Sequence, residues 1–224
     1  MTISDNGSRI SQTKEDIRQR KVGLCCRMFF YANELIEEPE SITREYKKYT
    51  LPYTACQLDI LRKTIVGFLN ECGGIIYIGI SESSCRIRRV SGSRISEKQK
   101  EDILFQMRAL CESIEPDVIA NRLVTVKFVP VRDPANERYL PGQYVVKVVV
   151  EEGRSRELYT YRCKDGEALA LRTENEVVRV DMNRQVRRVL GIMRDRLEGV
   201  RPRLVQLHYH PCPEPEVGEP VYRQ

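Results

Sequence analysis

Three carboxylates and a set of cations carry the chemistry available to this chain. Glu40 and Glu45 lie five residues apart in Glu40-Ser-Ile-Thr-Arg44-Glu45-Tyr46-Lys47, and Glu82 follows the apolar run Ile75–Ile80. Carboxylate oxygens are the preferred ligands of hard divalent cations such as Mg²⁺ or Mn²⁺. Such ions hydrolyse phosphodiesters by polarising a phosphoryl oxygen, activating a water and neutralising the leaving oxyanion. Glu40, Glu45 and Glu82 are therefore the candidate catalytic and metal-holding residues. Arg44, Lys47, Lys48, Arg88, Arg89 and Arg172 are the candidate phosphate contacts, because neutralising phosphates releases condensed counterions. The competing reading of all nine is ordinary solvated charge, with Lys47 and Lys48 simply paired to neighbouring acids.

To meet at one mouth, these residues need particular elements around them. Arg44–Thr50 reads as a strand, with a bend that brings Glu40 back toward Glu45. Leu61, Ile65, Phe68 and Leu69 share one helical face, so a helix is expected over Gln57–Glu71, closed by Gly73-Gly74. Ile75–Ile80 reads as one continuous buried strand. Ser96-x-x-Gln99 is a capping box that opens a second helix, stopped by Pro116. Strands are expected over Leu123–Val131 and Tyr144–Val150, and a hairpin over Leu158–Cys163 and Ala168–Arg172. The sum is an α+β domain over 38–182, a mixed, mostly antiparallel sheet packed with helices.

Outside it, residues 1–37 form an extension, disordered over 1–13 and with helical spacing over 14–37 that docks on the core or on a partner. Residues 183–203 form a basic amphipathic helix, and 204–224 a Pro-rich tail.

Composition narrows the function classes. The 224 residues carry a net charge of +5. Seven arginines face three acids between Asp181 and Arg203, a distribution suited to a phosphate backbone. The two histidines, His208 and His210, both lie in the tail, so neither a Ser–His–Asp triad nor a cysteine protease is expected. No phosphate-binding glycine loop occurs. His208, His210 and Cys212, with Cys163 as a fourth group, give zinc as a secondary cofactor expectation. Eight cysteines without a CxxC pair suggest reduced thiols. The expected location is the cytoplasm, with the nucleus as the alternative. Val22–Tyr31 is too short to span a bilayer, so no membrane partner is expected.

The two segments Glu40-x4-Glu45-Tyr-Lys47 and Phe68-Leu-Asn70-x2-Gly73-Gly74-x3-Ile78-Gly79-Ile80, taken in order, resemble the Schlafen family and its AlbA-like divergent domain. The resemblance runs loosely on through Val126–Val131, Tyr144–Val150 and Leu171-Arg172-Thr173. It implies a nucleic-acid-binding α+β fold whose active members are metal-dependent endoribonucleases acting on tRNA-like or small RNA. The family's acids carry over to Glu40 and Glu45. Its third, an Asp after the Gly-aliphatic pair, is here Ser81, with Glu82 the nearest carboxylate. Family nucleases hold RNA between two lobes, which implies a homodimer, or a heterodimer with another Schlafen-like chain. The alternative expectation is a non-catalytic nucleic-acid-binding or scaffold subunit. A third is an interaction protein that docks its basic helix on an acidic partner.

Overall fold

A computed structural model describes residues 23–83, 86–119, 121–154, 157–164, 166–172, 176–181 and 190–191. Apart from residues 190–191, the expected basic helix and tail, with His208, His210 and Cys212, lie outside the described residues, as does the expected disorder over 1–13.

The strands are β1 (Phe30–Tyr31), β2 (Leu35–Ile36), β3 (Arg44–Lys47), β4 (Gly74–Ile78), β5 (Ile80–Glu82), β6 (Arg88–Val90), β7 (Ser93–Arg94), β8 (Ile114–Glu115), β9 (Val124–Arg132), β10 (Tyr139–Val150), β11 (Thr160–Cys163), β12 (Gly166–Arg172) and β13 (Val177–Asp181). Two helices, α1 (Ala55–Leu69) and α2 (Glu97–Cys111), complete the domain. The main sheet runs β1-β9-β10-β4-β3, with β7 also on β10; a second runs β13-β12-β11-β8 and a third β2-β6-β5. Pairing is antiparallel except for β1 with β9 and β3 with β4. This is the α+β class expected from the sequence.

The helices start where their caps dictate. Thr54 opens α1 through a capping box with Gln57, and Ser96 opens α2 with Gln99. Leu61, Ile65, Phe68 and Leu69 of α1 are all fully buried. They pack between Ile76, Ile78, Val146 and Val148 of the main sheet and Tyr159, Tyr161, Ala168 and Ala170 of the second. Helix α1 is thus the middle layer of a sheet–helix–sheet sandwich.

Asn70, also fully buried, fastens the end of α1 to the second sheet. Its amide donates to the carbonyls of Tyr159 (2.8 Å) and Ala170 (3.0 Å), and its oxygen accepts from the Tyr159 N–H at 2.8 Å. The next turn needs glycine. Gly73 sits at φ +71°, and a Cβ on Gly74 would lie 2.7 Å from the Phe68 ring.

Two expectations change in detail. The apolar run Ile75–Ile80 is not one strand: at Gly79 (φ +105°) the chain leaves the main sheet and enters the third. Gly79 bonds back through its N–H to Lys47 O (2.8 Å), while its carbonyl accepts from Gly92 N (2.8 Å). In the described part of 14–37, the helical spacing gives a 3-10 turn at Leu24–Cys26 and the short strands β1 and β2. Leu24, Phe30 and Ile36 from this segment cover part of the outer face of the main sheet, against Tyr46, Tyr77, Val129 and Val145.

Candidate functional site

Strand β3 sits at the edge of the main sheet, and its alternation sorts the first motif onto two faces. Glu45 and Lys47 point toward the helices and the second sheet; Arg44 and Tyr46 point to the outer face. Glu45 is buried, its side chain 10% exposed. One of its oxygens pairs with Lys47 and the other lies 2.5 Å from Arg172 Nη2. Arg172 ends β12, and its side chain is 2% exposed. The same Nη2 donates to the carbonyls of Ser41 (3.0 Å) and Arg44 (3.2 Å), with the guanidinium over the Phe68 ring. Both oxygens of Glu45 are therefore engaged by cations.

Glu40 has a different job. Its Oε1 accepts the Tyr46 backbone N–H at 2.9 Å. Ser41 and Arg44 exchange backbone hydrogen bonds at 3.0 and 3.1 Å. The bend expected between Glu40 and Glu45 is there, and it folds Glu40 along the outer side of the edge strand.

Glu82 is on another sheet. Glu45 stands opposite Ile76, and Glu82 follows Ile76 by six residues, about 20 Å of extended chain, turned away at Gly79. It pairs instead with Arg88 Nη2 at 2.8 Å. Among the described residues, no three His, Cys, Asp or Glu side chains are grouped to hold a metal ion. A shared Mg²⁺ or Mn²⁺ needs several carboxylate oxygens free to converge on it. Four of their six oxygens are engaged, by Lys47, Arg172, the Tyr46 amide and Arg88, and as folded the three acids are not grouped around one point. Cys163, the described member of the zinc expectation, donates from Sγ to Gly166 O at 3.0 Å and accepts from Arg179 Nη2 at 3.1 Å.

The named cations divide in the same way. Arg172 and Lys47 are committed to Glu45. Arg88 is paired to Glu82, with its guanidinium 5.7 Å from the Tyr46 ring centroid. Arg44 is partly exposed and donates to Pro39 O at 3.3 Å. Lys48 and Arg89 are exposed, and Arg89 donates to Asn33 O at 3.0 Å.

Sequence reading passed over Lys127 and Lys147, which the structure brings onto the Arg44 side of the sheet. They stand directly opposite one another on β9 and β10, and Lys147 stands opposite Tyr77 of β4. Tyr77 stacks on Tyr46, ring centroids 5.7 Å apart. Burial pushes both phenols well above their ordinary value. Lys147 is 5% exposed and donates from Nζ to the carbonyl of Cys25. Burial lowers its pKa, and the charge of Lys127 acts in the same direction while Cys25 opposes it. The signal available in the sequence was a single lysine interrupting the apolar run Val145-Val-Lys147-Val-Val-Val150. Cys25, Cys56, Cys72, Cys111 and Cys163 are free thiols, but of the reduced, buried cysteines expected only Cys111 is buried, and Cys25, Cys56 and Cys72 are exposed. Cys26 is disulfide-bonded, which departs from the expectation of reduced cysteine throughout.

No described helix is long and apolar enough to cross a membrane. The family model described as Schlafen, AlbA_2 matches residues 40–183. No curated protein matches the chain. Among solved structures, one match is the solution NMR structure of the N-terminal domain of a putative ATP-dependent DNA helicase RecG-related protein from Nitrosomonas europaea. It is 15% identical, covers 53% of this chain and 67% of that one, and has a TM-score of 0.33. A likeness at that level carries no argument about function.

Proposed function

This chain belongs to the Schlafen AlbA_2 family, matched over residues 40–183, and from that premise we propose that it binds nucleic acid, RNA being the expected ligand, without cleaving it. The observation that carries this reading is the closure of Glu45. A nuclease carboxylate must offer an oxygen to a metal ion or a water. Here one oxygen is held by Lys47 and the other by a buried arginine. Glu40 is occupied with the backbone of the edge strand, and Glu82 with Arg88. Each acid has a structural task in the folded domain. The basic residues Lys48, Arg86, Arg89 and Arg94 are exposed, and none is in an ion pair among the described residues. They supply a charge surface suited to phosphates.

The competing reading, a metal-dependent endoribonuclease acting on tRNA-like or small RNA, requires Glu45 to leave Arg172 and Glu82 to move to its side. Incubating the purified chain with single-stranded and tRNA-like RNA, in EDTA and in Mg²⁺ or Mn²⁺, separates the two. The expected result is salt-sensitive binding of equal strength in all three buffers and intact RNA throughout. Metal-dependent cleavage that disappears in Glu45→Gln would overturn the binding-only reading.

A further inference from the structure

The second sheet is buried on both faces, and the described elements account for only one of them. Tyr159, Tyr161, Ala168 and Ala170 face α1. Their strand neighbours Thr160, Leu169 and Val180 stand in register across β11, β12 and β13 on the other face. That row is 7%, 0% and 0% exposed. Among the described residues, the partly buried apolar groups packed against Leu169 and Val180 are Leu158 and Leu171, both from the same hairpin. An antiparallel sheet face turned to water carries polar side chains. Complete burial of a leucine and a valine there calls for a further layer, about 10 Å above the sheet.

The sequence outside the described residues offers few candidates for that layer. Positions 155–156, 165 and 173–175, beside the hairpin, are all polar. Over Ile3–Ile17 the chain holds one isoleucine in seven, and it then leads to Leu24, which is buried on the outer face of the main sheet, on the far side of α1. The stretch after β13 fits better. β13 ends at Asp181, one residue past Val180, so the chain leaves the second sheet at the buried row. Val186, Val189, Met193 and Leu197 then recur at helical spacing. A helix over 183–198 would be about 24 Å long, enough to cross three strands spanning roughly 10 Å. Within it, Leu190 and Gly191 are helical. Leu190, 58% exposed, falls about 40° round the helix from Val186, at the rim of the apolar stripe. Gly191 falls about 140° round, and a Cβ there would meet nothing within 4 Å. Both fit an inward Val186–Val189–Met193 side.

We propose that the outer face of the second sheet is the docking surface for this chain's own segment 183–198, laid over the Thr160–Leu169–Val180 row as a helix with Val186, Val189, Met193 and Leu197 underneath. On that helix Arg184 and Arg188 fall on the outward side. The basic segment is then a fixed outer layer of the domain rather than a free arm whose apolar side is kept for another protein. The inference goes beyond the nucleic-acid reading and does not depend on it: it names what the second sheet holds, whether or not RNA meets the arginines.

The test is hydrogen–deuterium exchange of the full chain, read by mass spectrometry. An isolated helix of this length is marginal in water, so lasting protection of the amides over 186–197 reports docking. In the wild type they are expected to exchange about tenfold or more slowly than in two variants. One is Val189→Asp/Met193→Asp, changed within the segment. The other is Val178→Asp, changed on the sheet beside the row at a partly exposed position, which leaves the segment's own helix propensity as it was. The segment variant leaves α1 and its two sheets untouched, so it keeps the domain folded even where Val178→Asp does not. Wild-type exchange over 186–197 at the rate of unstructured chain, or protection that the folded variants retain, overturns the docking. Protection that fades when the protein is diluted assigns the face to a second copy and overturns it as well.

Discussion

Removing the Glu45 carboxylate should cost this protein stability rather than activity. In Glu45→Ala the Arg172 guanidinium stays buried at 2% side-chain exposure with its counter-charge gone. Breaking a buried ion pair from one side costs about 3–5 kcal/mol, a large part of the roughly 5–15 kcal/mol that holds a typical domain together. For a domain of this size that corresponds to a fall in Tm of about 6–20 °C. Arg172→Met should do comparable damage by leaving Glu45 with Lys47 alone.

The double variant Glu45→Ala/Arg172→Met should lose no more than the worse single one. Once both charges are gone nothing charged is stranded there. The carbonyls of Ser41 and Arg44 that Arg172 served also accept backbone N–H groups from Arg44 and Ser41. Chemical denaturation followed by far-UV circular dichroism gives all four corners of the cycle. A loss below about 1 kcal/mol in Glu45→Ala, or losses that simply add in the double variant, would refute the latch. Retained stability together with lost RNA cleavage would return Glu45 to the catalytic role.

Two further outcomes follow from the same packing. Asn70→Ala strands two carbonyls and one N–H in the core, and a loss of about 3 kcal/mol in unfolding free energy is expected, whereas a change within about 0.5 kcal/mol would show that the α1 fastening is dispensable. Burial raises the phenols of Tyr53 and Tyr77 well above the ordinary value near 10, so the unfolded chain releases these protons first. Their contribution is intact below pH 10 and is lost as the pH rises beyond it, by about 1.4 kcal/mol per tyrosine at pH 11. The chemical-denaturation midpoint should therefore fall steeply between pH 10 and 11, and a flat profile there would show these rings to be hydrated.

Much of this architecture was legible in the sequence, because its signals are local. The α1 face, the capping box at Ser96 and the Gly73-Gly74 turn depend on spacing within a few residues. The hairpin through Cys163 and Arg172 was legible for the same reason. The departure at Gly79 was not, since an apolar run looks the same whether it stays in one sheet or passes into another. Leu35 and Ile36 have helical spacing, but a two-residue strand leaves no periodicity to read. The site was the least legible part. Charge partners are chosen by tertiary contact: Glu45 meets Arg172 from 127 residues away in sequence, and Lys147 meets Lys127 only through the β9–β10 register. The spacing of Glu40 and Glu45 pointed to a bend and found one, but the bend serves the backbone of β3.

That bend also bears on how copies of this chain could meet. An outermost strand normally presents open N–H and C=O groups that invite another chain to add a strand of its own. Along β3 the Tyr46 N–H is taken by Glu40, the Arg44 N–H by Ser41, and the Arg44 carbonyl by Ser41 N and Arg172. The opposite rim of the sheet, β1, is only two residues long. Lateral sheet extension is thus closed on one side and short on the other. A two-chain clamp built on the main sheet would have to be assembled through side-chain surfaces, and the same plugging of β3 guards that edge against strand-by-strand aggregation.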